Sequence, residues 1–146
     1  MILIDTNIIV YAIDTDAPQH AASRALLEAV QAKKIKAALV PQVLLEFFAI
    51  VTDGRRVKKP LEPRTAWEQV KALRAILPVL DPGVKSLDYL ELELPEEVKV
   101  KGADIFDAFL VAQMRAIGAS VLCTYNTGDF KHYRGIVVQS PDEMLV

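Results

Sequence analysis

Short apolar runs alternate with longer segments of helical periodicity along all 146 residues of the chain. The runs have the length and composition of buried strands, and in the longer segments the apolar residues recur at helical spacing. Strands separated by helices favour an α/β fold, because parallel strands require a crossover between them. We therefore predict one domain over residues 1–146, a three-layer α/β/α sandwich around a mostly parallel sheet. The predicted strands are 2–4, 37–40, 120–124 and 136–138, with a brief further strand at 79–80.

Proline, glycine and capping residues set the bounds of the predicted helices. Asp14 and Asp16 offer an N-cap to the second helix, which has Pro18 in its first turn. Asp104 is the N-cap candidate of a helix that Gly118 ends, and Ser140 opens a short last helix with capping-box spacing. The predicted helices are 8–13, 18–33, 41–53, 63–77, 84–94 (ended by Pro95), 103–117 and 140–143.

Composition and charge exclude several classes of protein. With 52% hydrophobic and 25% charged residues, the chain is typical of a folded globular domain. Its apolar runs are shorter than the roughly 20 residues of a membrane-spanning helix, and its N-terminus lacks the basic segment of a signal peptide, so we expect a cytoplasmic protein. Cys123 is the only cysteine, which excludes an intrachain disulfide. The net charge of −2 argues against general coating of polyanions but leaves two basic clusters, 33–36 and 55–59, for local contacts.

An acid in an apolar helix is the first candidate functional residue. Glu46 lies between Leu45 and Phe47 in a segment that is apolar on nearly every side. A lone buried carboxylate is unfavourable unless it binds a proton or finds a partner. No lysine or arginine lies within one helical turn of it. Glu46 therefore either reaches the surface, pairs with a distant arginine, or contributes to an acidic site.

Further acids occupy positions that suit a ligand site. Asp5 directly follows the first strand and Asp129 lies in the turn after the strand at 120–124, and open α/β sheets bind ligands at the carboxyl ends of their strands. Asp104 and Asp107 share one face at a helix start, and capping explains one of them better than both. Together the acids suggest a cation site, because carboxylate oxygens are the ligands that Mg²⁺ or Mn²⁺ prefers.

Four short motifs follow one another from residue 5 to residue 130. Each is weak alone, but their order and spacing make the set specific. Together they resemble the PIN-domain nucleases, and most closely the VapC-type toxins of toxin–antitoxin pairs. The motifs are residues 4–7, Glu46 in its apolar helix, residues 104–108 followed by 110–112, and residues 124–130.

The resemblance implies a Mg²⁺-dependent endoribonuclease, with Mn²⁺ as a plausible substitute, that cleaves RNA through an activated water. Its catalytic acids fall on Asp5, Glu46, Asp107 and Asp129. Asp5 and Asp107 are the implied direct metal ligands. Glu46 and Asp129 are ligands of a second ion or orient the water.

Neighbouring residues complete the implied site. Asp104 either supports the metal ligands or exchanges roles with Asp107, since both lie on one face. The loop after the Glu46 helix is a candidate to flank the cleft and to contact phosphates without reading bases. The polar positions beside the metal site are Thr6, Asn7 and Asn126, and the basic residues of the loop are Arg55, Arg56, Lys58 and Lys59.

The resemblance also implies partners, and it leaves alternatives. It implies a homodimer and a cognate antitoxin that inserts a segment into or near the cleft. A non-toxin PIN nuclease of RNA processing and a catalytically silent binding module fit the same residues. A phospho-accepting α/β domain fits less well, because the haloacid-dehalogenase pattern needs a second aspartate where Asn7 stands.

Overall fold

A computed structural model describes residues 1–94 and 99–146 of the chain, so Pro95, the predicted end of the helix at 84–94, lies outside the described residues. Helices separate the first three strands along the chain, as the sequence predicts, and four parallel strands of the described residues form a sheet in the order β2–β1–β3–β4. The strands are β1 (Ile2–Ile4), β2 (Ala37–Ala38), β3 (Val121–Cys123) and β4 (Val137–Gln139). The helices are α1 (Thr6–Ile13), α2 (His20–Gln31), α3 (Pro41–Val51), α4 (Pro63–Ile76), α5 (Ser86–Leu92), α6 (Asp104–Ala116) and α7 (Pro141–Met144), with a 3-10 turn at Thr127–Phe130.

Helices cover both faces of the sheet. Ile2, Leu3 and Ile4 are all buried along β1, although successive side chains of a strand point to opposite faces. Burial of every strand residue is typical of parallel sheets that lie between two helical layers. The predicted α/β class is therefore confirmed.

The strand order creates a crevice at the carboxyl edge of the sheet. From β1 the chain passes to β2 on one side, and it later returns to β3 on the other side of β1. Such a reversal of strand order is the point at which open α/β sheets bind ligands. Ile4 pairs with Cys123 across β1 and β3, so Asp5 and Thr124 are the next residues along each strand and lie side by side at this crevice.

The sequence predictions for residues 79–80 and for the start of the second helix are wrong in detail. Residues 79–80 form no strand, and a single parallel bridge joins Leu39 to Val79. The second helix begins at His20 without a side-chain cap. The reason is local, because the Asp14 carboxylate accepts the N–H of Asp16 at 3.1 Å and so closes a turn before the helix.

Other helix ends follow the sequence signals. Ser140 and Glu143 form the predicted capping box of α7. Gly118 follows α6 with φ at +75°, a conformation that glycine adopts without strain. Within the described part of the chain, no helix is long and apolar enough to cross a membrane.

The burial pattern of α3 can be tested by paired truncations. Phe47 is fully buried, whereas Leu45 is 60% exposed on the same helix. We expect Phe47→Ala to lower the free energy of unfolding by about 3–5 kcal/mol, because it leaves a cavity in the core. Leu45→Ala should change it by no more than about 0.5 kcal/mol. Urea unfolding measures both, and equal losses would contradict the packing of α3.

Candidate active site

Asp5 lies at the crevice between β1 and β3 and also caps α1. Its backbone N–H donates to the carbonyl of Cys123 at 3.0 Å, which continues the pairing of the two strands. Its Oδ1 accepts the N–H of Thr6 at 2.7 Å, in the manner of an N-cap residue. The residue is only 8% exposed. Asp5 is therefore a buried carboxyl group fixed between a strand and a helix.

Polar residues from two elements hold the other oxygen of Asp5. Its Oδ2 accepts from Thr124 Oγ1 at 2.8 Å and from Asn7 Nδ2 at 3.3 Å. Asn7 also donates to Thr124 Oγ1 at 3.0 Å, and its Oδ1 accepts the N–H of Tyr125 at 3.2 Å. The N–H of Asn126 donates to the same threonine oxygen at 3.0 Å. Asn7 thus ties α1 to the segment after β3, and Asn126 contributes its backbone.

Glu46 reaches α1 from the middle of α3. Its Oε2 accepts from Thr6 Oγ1 at 2.8 Å, and its Oε1 accepts from Gln42 Nε2 at 2.7 Å. Thr6 therefore contacts both acids, Asp5 through its N–H and Glu46 through its hydroxyl. Among the described residues, Glu46 forms no salt bridge with a lysine or arginine. The half-buried side chain belongs to the acidic site and has no basic partner there.

The remaining acids lie on α6 and in the 3-10 turn after β3. Asp107 is half-buried, whereas Asp104 and Asp129 are exposed. The prediction that Asp104 caps α6 is wrong. Ala103 is the N-cap, in a helical backbone conformation and without a side-chain bond, so Asp104 is the first helical residue and its carboxylate caps nothing.

Burial and mutual repulsion raise the proton affinity of two of these acids. The pKa of Asp5 is raised from 3.8 to about 6, mainly by burial and to a smaller extent by the charges of Glu46 and Asp107, while the hydrogen bonds from Thr124 and Thr6 lower it. For Asp107, burial and then the charge of Asp129 raise the pKa. The acids are therefore close enough to repel one another.

Three further charged groups have smaller effects on the pKa of Asp107. Glu46 and Asp104 add to the rise of its pKa, and His132 lowers it. The His132 ring packs on Tyr133, with ring centroids 4.1 Å apart. The charge of His132 thus affects one acid of the site, Asp107.

The chemistry of these residues fits a hard divalent cation. The donors are carboxylate oxygens, which Mg²⁺ and Mn²⁺ prefer, and in residues 1–94 and 99–146 none of the five acids is neutralised by a salt bridge. In the same residues, no three acidic, histidine or cysteine side chains converge at the spacing of a complete metal cluster. Repulsion between the carboxylates favours this wider spacing of the acids. A bound cation would offset the repulsion and allow the acids to come closer together.

The basic loop after α3 reaches the site through one residue. Arg55 is exposed and bound to Asp53, with an N–O distance of 3.1 Å. Arg56 lines a groove of about 840 Å³ between α3 and α6, which also includes Glu46. The two lysines of the loop are exposed. Arg56 is thus the cation of this loop that lies beside the acidic site.

Sequence reasoning missed three residues of the site. Thr124 directly follows a buried strand, as Asp5 does, and this signal was available. Gln113, which lines the groove beside Glu46, is a polar residue in the apolar stretch of α6, so the argument that selects Glu46 also selects Gln113. Gln42 carries no such signal, because it lies in the first turn of α3, where polar residues are common.

Comparisons with known proteins identify the family of the chain. Residues 2–136 match the PIN domain family. The chain belongs to this family.

Individual relatives define the similarity further. The chain is 35% identical over 114 residues to a VapC ribonuclease from Mycobacterium bovis, a match that covers 77% of each chain. It is 35% identical, with the same coverage, to ribonuclease VapC43 from Mycobacterium tuberculosis. The fold is similar to VapBC from Salmonella typhimurium bound to DNA, with a TM-score of 0.70, 18% identity and coverage of 96% of this chain and 97% of the other.

The buried carboxyl group of Asp5 predicts a pH-dependent stability. A folded-state pKa of about 6, above the ordinary value of 3.8, means that the folded state binds the proton more tightly than the unfolded state. The contribution of Asp5 to the free energy of unfolding should therefore fall by about 2–3 kcal/mol as the pH rises from 4 to 7 in EDTA. Urea unfolding at each pH measures it.

The matched variant is Asp5→Asn, which keeps an N-cap side chain but cannot ionise. As the pH rises from 4 to 7, the wild type should lose this contribution to its stability, whereas the variant should not. The variant should therefore become more stable relative to the wild type over this interval. Parallel pH curves for the two proteins would contradict the assignment to Asp5.

Proposed function

We propose that the chain is a divalent-metal-dependent endoribonuclease and the toxin of a toxin–antitoxin pair. The observation that carries the proposal is a buried acid, Asp5, that lies at the switch point of the sheet among other carboxylates and without a basic partner in the described residues. Burial of such a group is unfavourable for folding, which is typical of residues kept for function. The VapC ribonucleases among the relatives support RNA as the substrate.

The proposed metal ligands are Asp5 and Asp107. Mg²⁺ or Mn²⁺, when bound, supplies the positive charge that activates a water molecule and offsets charge on the phosphate. Thr6, Asn7 and Thr124 hold the carboxyl group of Asp5 by fixed donors, so its direction is set before any ligand binds. Asp104 lies in the first turn of α6 with Asp107, and its negative charge raises the pKa of Asp107.

Glu46 and Asp129 complete the proposed chemistry. Each oxygen of Glu46 accepts one hydrogen bond from the protein, whereas a carboxylate offers about four acceptor sites in all. Glu46 can therefore orient a water molecule or bind a second ion without losing its protein contacts. Asp129, which is exposed, affects the pKa of Asp107 and belongs to the open side of the site.

The proposed partners follow from the relatives and from the surface. Several structural neighbours are VapBC complexes, which supports a cognate antitoxin, and the groove beside Glu46 is a candidate seat for a segment of it. We also propose a homodimer that acts in the cytoplasm. RNA processing outside a toxin system and a silent binding module receive no support from the similar proteins described above.

Nuclease activity is tested with purified chain free of any copurified partner. We expect it to cleave members of a panel of structured and unstructured RNAs in Mg²⁺ or Mn²⁺ but not in EDTA. Asp5→Asn and Asp107→Asn should each lower the cleavage rate by more than about 100-fold, because they remove proposed metal ligands. Asp16→Asn, which changes an exposed acid between α1 and α2, is the control and should cleave like the wild type. Cleavage in EDTA, or by both active-site variants, would contradict the proposal.

The basic loop is tested by the salt dependence of RNA binding. Replacing Arg56, Lys58 and Lys59 by alanine should reduce the slope of log affinity against log salt by about 2, at roughly 0.7 for each phosphate contact to single-stranded RNA. The matched control replaces three lysines of the other basic cluster, at 33, 34 and 36, which precedes β2 at the amino edge of the sheet. An equal change of slope in both variants would remove the loop from the site.

A further inference from the structure

Gln113 has a buried amide side chain on the apolar, core-facing part of α6. It is 2% exposed, and its neighbours Ala112 and Met114 are fully buried. A buried amide destabilises the fold unless it finds hydrogen-bond partners. Its Nε2 donates to Gln42 Oε1 at 2.7 Å and to the backbone carbonyl of Phe109 at 3.3 Å. An apolar residue at this position would avoid the desolvation altogether, so the amide needs a reason beyond packing.

The hydrogen bonds of the glutamine pair, Gln42 and Gln113, have a fixed direction. The carbonyl of Phe109 can only accept, so Gln113 must turn its NH₂ group toward it. The same NH₂ group donates to Gln42, which must then present its oxygen to Gln113 and its own NH₂ group to Glu46. A flip of either amide would oppose two acceptors.

The glutamine pair links α3 and α6, two helices that carry acids of the site. Gln113 lies six residues after Asp107 on α6, and Gln42 lies one turn before Glu46 on α3. The second oxygen of Glu46 accepts from Thr6 on α1, which also contacts Asp5. The carboxylate of Glu46 is thus restrained at both oxygens, from α6 through the glutamine pair and from α1 through Thr6.

We propose that Gln42 and Gln113 are positioning residues that hold the Glu46 carboxylate toward the cleft. The inference rests on the proposed function, in which Glu46 orients a water or binds a second ion. A displacement of about 1 Å in a reacting group can lower a rate about 100-fold, so an oriented carboxylate has a direct effect on turnover. We infer that Gln113 acts through Gln42, since in the described residues its side-chain hydrogen bonds go to Gln42 and to the backbone of its own helix.

The test is a double-mutant cycle. Gln113→Met and Gln42→Met keep the length of the side chain and remove the amide. We expect each to lower kcat about tenfold in Mg²⁺ while the KM for RNA stays within about twofold. The double variant should be no slower than Gln42→Met alone, because Gln113 acts through Gln42. Losses that multiply in the double variant would overturn the proposal.

A second measurement separates positioning from stability. Val70→Ala truncates a buried residue of α4, a helix that carries none of the five acids, and should leave kcat unchanged. In ¹⁵N-labelled protein without metal or RNA, the NH₂ group of Gln42 should exchange slowly with solvent and become fast in Gln113→Met. Fast exchange in the wild type, or a loss of kcat in Gln113→Met no greater than in Val70→Ala, would overturn the proposal. A wild-type chain that cleaves no RNA would contradict the proposed function itself, and the amide exchange alone would then decide whether Glu46 is held.

Discussion

The burial of one carboxyl group at the carboxyl edge of β1 is the constraint on which the site depends. Asp5 follows three buried residues, and its N–H pairs with β3, so the backbone cannot move it toward solvent without breaking the sheet. The fold instead surrounds it with donors, namely the N–H that begins α1 and the side chains of Asn7 and Thr124. The hydrogen bonds from Thr124 and Thr6 lower the pKa of Asp5, yet burial outweighs them. The fold thus keeps a group that is unfavourable for its own stability.

The elements of the fold could be predicted from the sequence because their signals are local. Residues 2–4 are apolar and end at a charge, which is enough to indicate a buried strand that stops at Asp5. Ser140 with Glu143, and Gly118 after α6, mark helix ends by their own chemistry. A related local signal marks the acids. Asp5 lies at the end of an apolar segment, and Glu46 lies within one.

The contacts that organise the site could not be predicted, because they join residues far apart in sequence. Thr124 and Asp5 are 119 positions apart, Gln113 and Gln42 are 71 apart, and Thr6 and Glu46 are 40 apart. No periodicity relates such positions, and only the packing of strands and helices brings them together.

The error at the start of α6 has a different, local cause. A capping aspartate needs an extended backbone. Ala103 before Asp104 is already helical, and the N–H of Asp104 donates to the carbonyl of Lys101. Residue type alone does not predict this backbone turn. Asp104 is thus a residue type that commonly caps helices, but its position in the backbone is not that of a cap.

The acids become more exposed from the floor of the site to its mouth, and this order bears on how a polyanion could bind. Asp5 is buried and rigidly held, Glu46 and Asp107 are half-buried, and Asp129 is exposed. These charges repel one another, and they would also repel a phosphodiester that approaches from the open side. Under the proposed function, a cation bound among the acids reverses that repulsion, so the binding of metal and of RNA must each strengthen the other. Arg56 in the adjoining groove is one basic side chain against several acids, so under the proposed function the cation would act on substrate affinity as well as on the reaction.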